Sequence, residues 1–168
     1  MWISLSDGTV VRVREIRAED KARLAAAHER LSPETVRRRY LTAKPRLSPR
    51  ELRYLTEVDG TNHVALVAVL EDHPELIVAV ARFVRDKDKP DTAEFAIVVG
   101  DPLQGKGLGG RLSELLVERA RDLGITQFTA TSLSDNRPAQ ALVGHISKQL
   151  TYLGAEGGTS SVVADLAA

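Results

Sequence analysis

Residues 94–123 constrain the fold of this chain more than any other stretch. A strand-like apolar run, Glu94–Gly100, leads into Asp-Pro-Leu-Gln-Gly-Lys-Gly-Leu-Gly-Gly at 101–110, and a helix follows. In that helix Leu108, Leu112, Leu115, Leu116, Ala120 and Leu123 fall on one stripe, and Gly124 supplies its stop. A glycine-rich turn between strand and helix gathers backbone N–H groups at the positive end of a helix dipole. Such a site suits phosphate. The chain is therefore expected to build on a strand–turn–helix unit and to bind a phosphate-bearing ligand.

The flanking sequence supplies a sheet and more helices. Trp2–Arg14 alternates apolar and polar residues about Asp7-Gly8, which predicts a hairpin. Residues 18–30 carry a helical Ala/Leu pattern. Ser32-Pro33 and Ser48-Pro49-Arg50-Glu51 each open a short capped helix, the second running to about Glu57. His63–Leu70 and Leu76–Val84 read as paired strands, with Thr92–Val99 and Ile125–Leu133 as two more. Residues 136–150 read as a helix and Ser160–Leu166 as the last strand. The order predicts a single α/β (α+β) domain over residues 1–168, built on a mixed, partly antiparallel sheet.

Composition removes several function classes. Lys+Arg and Asp+Glu both number 23, so no net field draws the chain to nucleic acid or to an anionic membrane, and neither is expected as a partner. Cysteine is absent, which excludes disulfides, thiolate metal sites and a cysteine nucleophile. His28, His63, His73 and His145 lack metal-ligand spacing, so no metal is expected. No run reaches the length of a membrane span and no basic-then-apolar leader opens the chain, which suggests a cytoplasmic protein.

Several phosphate loops compete for the glycines. Gly105–Gly110 satisfies G-x-G-x-x-G, but the dinucleotide fold expects those glycines directly after the strand, with an acid closing the next strand. Here Pro102 intervenes, and Thr126–Leu133 holds no Asp or Glu. A Walker loop lacks its Lys-Ser/Thr, and a protein kinase its lysine strand and catalytic loop. A turn that only lets the helix pack closely is the plain alternative. Gln/Arg-x-x-Gly-x-Gly/Ala fits better, as Gln104-Gly105-Lys106-Gly107-Leu108-Gly109.

That last pattern resembles the pyrophosphate loop of the GNAT N-acetyltransferase superfamily. The preceding strand Ala93–Val99, the helix and strand that follow, and Ser134-Asp135-Asn136 agree in order. Leu5–Asp20, Leu31-Ser-Pro-Glu34, Leu47-Ser-Pro-Arg-Glu-Leu52 and Ala93-Glu94-Phe95-Ala96 further resemble the acetyltransferase domain of bacterial protein lysine acetyltransferases. The resemblance implies a mixed, mostly antiparallel sheet flanked by helices, with splayed central strands forming an acetyl-CoA cleft. It implies that Ile97, Val98 and Val99 pair with the pantetheine arm as an added strand. It also implies that N–H groups from Gln104, Gly105, Lys106, Gly107, Leu108, Gly109 and Gly110 hold the diphosphate. Asn136 would bond the arm or cap the next helix, and the two roles are compatible.

The reaction implied is direct attack of an amine on the acetyl thioester of acetyl-CoA, with Glu94 as general base. From the residues alone, Glu94 is an isolated carboxylate in an apolar strand, where desolvation would raise its pKa; an acid on a solvated sheet face is the alternative. The resemblance places an oxyanion donor, a backbone N–H, near Ile97. It also places a leaving-group tyrosine where this chain has Val143, which leaves the general acid unassigned, with His145 and Tyr152 near in sequence. Arg37, Arg38, Arg39 and Arg46, with Glu57 and Asp59, lie where acceptor-binding elements are expected. The arginines could guide an acidic acceptor surface or touch the cofactor's 3′-phosphate, the acids could attract a cationic lysine, and a solvated helix face is the plain alternative. The acceptor reads first as a protein lysine and second as a small amine. A non-catalytic acyl-CoA-binding module is a third reading, and homodimerisation is left open.

Overall fold

The computed structural model describes residues 1–166. The chain opens with β1 (Trp2–Ser4) and β2 (Val10–Glu15), a hairpin about Asp7-Gly8. Three short helices follow: α1 (Lys21–Glu29), entered through a 3-10 turn, α2 (Pro33–Tyr40) and α3 (Pro49–Thr56). Ser32 Oγ accepts the Thr35 N–H at 3.2 Å, and Ser48 and Glu51 close a reciprocal capping box, so both predicted helix starts hold. Next come β3 (His63–Leu70), β4 (Ile77–Arg85) and β5 (Thr92–Val99), then α4 (Leu108–Asp122), β6 (Gln127–Leu133) and α5 (Arg137–Ile146). The described chain ends on β7 (Leu150–Glu156) and β8 (Thr159–Asp165).

The eight described strands form one sheet in the order β1-β2-β3-β4-β5-β6-β8-β7. All neighbours are antiparallel except β5 and β6. Each face of the central strands is buried, as their near-continuous apolar sequences require. On one face Leu108, Leu112 and Leu116 of α4 and Val143 of α5 pack on Leu66, Phe83, Phe95 and Phe128. On the other, Leu24 of α1 and Leu55 of α3 pack on Val67, Ile77 and Val80. The fold is a sheet between two helical layers.

Two expectations fail at the C-terminal end. The helix foreseen over residues 136–150 stops at Ile146, where Ser147 turns extended and its Oγ donates to the Asp165 carbonyl at 2.6 Å. The segment after it is a strand, β7, which periodicity does not announce. Thr151 through Glu156 are exposed, and the β7–β8 register slips between Tyr152 and Gly154. An edge strand with little to bury leaves no alternation to read.

Candidate active site

β5 and β6 pair only at Thr92–Gln127, Ala93–Phe128 and Glu94–Thr129, and then part. The gap is a cleft of about 820 Å³. Of the residues singled out in the sequence, Glu94, Ile97, Val98, Val99, Gln104, Gly105, Gly107, Gly109, Gly110 and Asn136 all line it, and Lys106 and Leu108 do not. Helix α2 contacts both β5 and β6 and so crosses the mouth, bringing Thr35, Arg38, Arg39 and Tyr40 into the lining. Arg38 and Arg39 belong to the arginine run singled out in the sequence, whereas Thr35 and Tyr40 had no signal beyond the position of α2 in the chain.

The splay leaves one edge of β5 without a partner. Gly100 N–H donates to the Val78 carbonyl, and Val98 lies opposite Val80. By alternation the N–H and C=O of Val98 belong to the β4 ladder and the Phe95 N–H is spent on the last β5–β6 bridge, Glu94–Thr129, whereas the groups of Ile97 and Val99 point into the cleft. Ile97 and Val99 can therefore pair with an extended ligand, and Val98 contributes only its side chain. The Val99 carbonyl already accepts from Gln104 Nε2 at 3.0 Å.

The glycine turn supplies donors. The first bond of α4 runs from Arg111 N–H to the Gly107 carbonyl at 3.2 Å. No acceptor on the described residues meets the N–H groups of Gly105 through Gly110. Gln104 N–H is spent on the Asp101 carbonyl at 3.3 Å and drops out of the expected set. Lys106 Nζ is held by Asp7 at 2.7 Å, so this residue offers only its backbone, as does Leu108, whose side chain is in the core. Gly107 is the N-cap of α4 with φ 87°, a conformation that favours glycine. A Cβ on Gly109 would meet Val99, Leu142 and Ile97 at 3.7–3.9 Å, ordinary contact. A motif of strict glycine, any residue, then glycine or alanine follows from those two geometries.

Asn136 does cap a helix: its Oδ1 accepts the Ala139 N–H at 3.2 Å. Its Nδ2 has no acceptor on the described chain and the residue lines the cleft, so capping and ligand contact are compatible. Val143 is buried in the lining. His145 Nε2 pairs with Glu114 Oε1 at 2.8 Å and lies outside the lining, while Tyr152 is in it.

At the opposite end of the exposed edge stands Glu94. The burial expected for it is not there: Glu94 is exposed, between buried Ala93 and Phe95, because it points to the sheet face that the splay leaves open. Its carboxylate has no hydrogen bond or ion pair among the described residues. Glu57 and Asp59 are occupied elsewhere, Glu57 with Lys21 at 2.7 Å and Asp59 with the N–H groups of Thr61, Asn62 and His63. Arg37 and Arg46 are exposed and do not line the cleft. Arg82 lies beneath this end, 5% exposed, donating to the Leu55 carbonyl and to His63 Nε2, both at 2.9 Å. Burial first, and the Arg39 charge second, push the Arg82 guanidinium down to about 10. Burial, then the Arg82 charge, pushes His63 down to about 4.

This arrangement offers a donor cradle for anionic oxygens, an unpaired strand edge leading from it, and one free carboxylate beyond. The same arrangement of elements occurs in known proteins. The family model described as the acetyltransferase (GNAT) family matches residues 24–144. An acetyltransferase of Pseudomonas aeruginosa is 32% identical over 143 residues, covering 84% of this chain and 76% of that one. The acetyltransferase Pat of Mycolicibacterium smegmatis is 30% identical over 144 residues, covering 86% of this chain but only 43% of its own length. The crystal structure of the GNAT domain of S. lividans PAT superposes with a TM-score of 0.88 at 29% identity, covering 99% of this chain and 96% of that one. With a splayed sheet, an open glycine cradle and sequence agreement across most of its length, the chain belongs to the GNAT acetyltransferase family.

Proposed function

We propose that this acetyltransferase moves an acetyl group from acetyl-CoA to a primary amine, foremost a protein lysine side chain, with Glu94 as general base. The observation that carries the reading is the continuous path along β5, from the free N–H groups of Gly105–Gly110 past Val99 and Ile97 to the unpaired Glu94. The donor chemistry fits the cosubstrate. Six consecutive N–H groups at a helix N-terminus suit a diphosphate, and the cleft-facing amides of Ile97 and Val99 suit a pantetheine arm bound as an added strand.

Acetyl-CoA supplies an activated acetyl thioester, and the chain's own residues bind it and handle the proton. A lysine of ordinary pKa is protonated near neutrality, and stripping that proton at pH 7 costs about 4–5 kcal/mol. Glu94 accepts it, directly or through a water, as the amine attacks. The amide bond forms as the attacking nitrogen sheds its second proton, the carbon–sulfur bond breaks, and the thiolate takes up that proton through solvent. Ile97 N–H is the cleft-facing donor best placed on β5 to meet the charge that develops on the acetyl oxygen. An exposed Glu94 suits an acceptor presented on another protein's surface, and docking of that acceptor supplies the desolvation a base needs.

Free-thiol release from acetyl-CoA tests the reading, run on wild type and Glu94→Gln with protein lysines and small amines as acceptors. Release with a protein acceptor is expected, with kcat lowered about 10²–10³-fold in the variant and acetyl-CoA affinity unchanged. Release with small amines alone would move the acceptor class. Tight cofactor binding with no rate difference between the two proteins would leave a binding module and overturn the catalytic role of Glu94.

A further inference from the structure

The acceptor end of the cleft carries positive charge that the described chain does not neutralise. Arg38 is paired with Glu34 at 3.0 Å. Arg39, half-buried in the cleft lining, has no hydrogen bond or ion pair among the described residues, and its guanidinium lies 4.6 Å from the centre of the Tyr40 ring. Among the described residues, Arg82 behind it has only a backbone carbonyl and a neutral imidazole for partners. A buried guanidinium in a folded protein ordinarily finds a carboxylate. Here Glu94 is the one acid among the described cleft-lining residues, and it is committed to the incoming amine.

The strand register fixes the level of this charge. Arg82 lies opposite Ala96, and His63 lies opposite Val84, which lies opposite Glu94. The Arg39 charge bears on both Arg82 and His63. Arg39, on α2, lines the same cleft as Glu94 and stands close to this buried pair. The glycine cradle begins beyond Val99, and five strand steps run from Glu94 to Val99, roughly 16 Å at strand rise. Arg82 and His63 are thus at the Glu94 end of the cleft, away from the glycine cradle.

The geometry points to an anion subsite beside Glu94: the acceptor amine carries a neighbouring carboxylate, which Arg39 holds while the amine faces Glu94. This rests on the amine-acetylation reading above and narrows its substrate class. A lone ammonium approaching this end meets the unpaired Arg39 as well as one carboxylate, with the buried Arg82 charge behind them. An amine with a carboxylate beside it brings the missing counter-ion and forms a charge-assisted pair with a half-desolvated guanidinium. The carboxylate can be that of a free amino acid, or an Asp or Glu beside the acceptor lysine of a protein.

The test compares wild type, Arg39→Gln and Arg39→Lys on lysine peptides flanked by Glu, by Gln or by Arg, and on free amino acids against their amides. Acetyl-CoA affinity is measured on each protein, and binding of a lysine-free Glu peptide and of glutarate is followed by calorimetry. Wild type is expected to prefer the carboxylate-bearing acceptor by about tenfold or more in kcat/KM. Arg39→Gln should erase the preference, Arg39→Lys should retain part of it, and all three should bind acetyl-CoA within about twofold of one another. Preference among peptides assigns the anion to a protein, and preference among amino acids assigns it to a free acceptor. Equal rates on the acid and amide members of both series would overturn the subsite. So would a loss of acetyl-CoA affinity in Arg39→Gln with selectivity unchanged, because Arg39 would then serve the cofactor. If wild type acetylates no amine, the proposed function fails on its own. Arg39-dependent binding of the lysine-free Glu peptide or of glutarate would still support the anion subsite, and absence of binding would sink it.

Discussion

At the scale of single residues, Gly107 and Glu94 set what the site can do. Gly107 combines φ 87° with the N-cap position of α4, so any side chain there forces either strain or a different turn. Alanine in that conformation costs roughly 1–2 kcal/mol, and relief of the strain re-aims the free N–H groups around it. We expect Gly107→Ala to lose about that much stability in urea unfolding and to bind acetyl-CoA at least tenfold more weakly. Gly109→Ala, whose Cβ finds ordinary contacts, should stay near wild type in stability. Equal cofactor affinity in the two variants would refute the cradle. The cradle was legible in the sequence because a strand, a glycine pair and a helix start fix where backbone donors collect. The exposure of Glu94 was not. Its apolar neighbours suggested burial, but in a strand those neighbours point to alternate faces, and no local pattern tells which face a splay will open.

At the scale of elements, the site depends on how α2 is fastened to the glycine turn. Asp101 accepts Ser32 N–H at 3.0 Å, and Ser32 Oγ–H and Thr35 Oγ–H at 2.7 Å each. Partial burial works against this carboxylate, but the donors on Ser32 and Thr35 outweigh it and hold its pKa below the usual range. Gln104 Nε2 joins the network, donating to Thr35 Oγ1 at 3.2 Å as well as to the Val99 carbonyl. The helix that carries Arg39 is thus tied through one acid to the loop and strand of the cleft. Asp101→Asn keeps the volume, removes the charge and turns a donor toward donors, so a loss of about 2 kcal/mol in stability is expected. KM should rise for acetyl-CoA and for the acceptor together, and a rise for only one of them would show that the two halves are not coupled through Asp101. Sequence capping rules located the start of α2 at Ser32, because that signal is local. They carried nothing about Asp101, which is 69 residues away along the chain. β7 was hidden for another reason: its hairpin with β8 turns on the local pair Gly157-Gly158, both at positive φ, but the exposed strand before that turn has no alternation to mark it.

At the scale of the whole molecule, two buried ionic arrangements outside the catalytic set hold the α1–α3 layer to the sheet, and they make stability depend on pH in one direction. Asp20 is buried against Arg14 (two bonds of 2.8 Å) and the Arg17 N–H. Burial alone would raise its pKa, but these donors overcome it and bring it down to about 2. His63, neutral and accepting from Arg82, stays unprotonated down to about 4. The unfolded chain takes up a proton on His63 near 6.5 and on Asp20 near 3.9, in each case before the folded chain does. Over both windows the unfolded state holds more protons, so stability must fall as pH falls. The His63 contribution is complete above about 6.5 and lost on the way to 4. The Asp20 contribution is complete above about 4 and lost on the way to 2. Urea midpoints measured from pH 7.5 downward should therefore decline in two stages. Whatever each costs at pH 7.5, His63→Gln should flatten the upper stage alone, and Asp20→Asn should lessen but not remove the lower one, because Asp59 and Asp101 are also held below the usual carboxylate range. An upper stage of unchanged slope in His63→Gln would mean that another group titrates there and that the imidazole is not the neutral partner of Arg82. The outcome bears on function as well as on folding. If His63 did protonate near neutrality, a third positive charge would join Arg39 and Arg82 around the cleft that holds Glu94, and the counter-ion that an acceptor must bring would have to be larger than a single carboxylate.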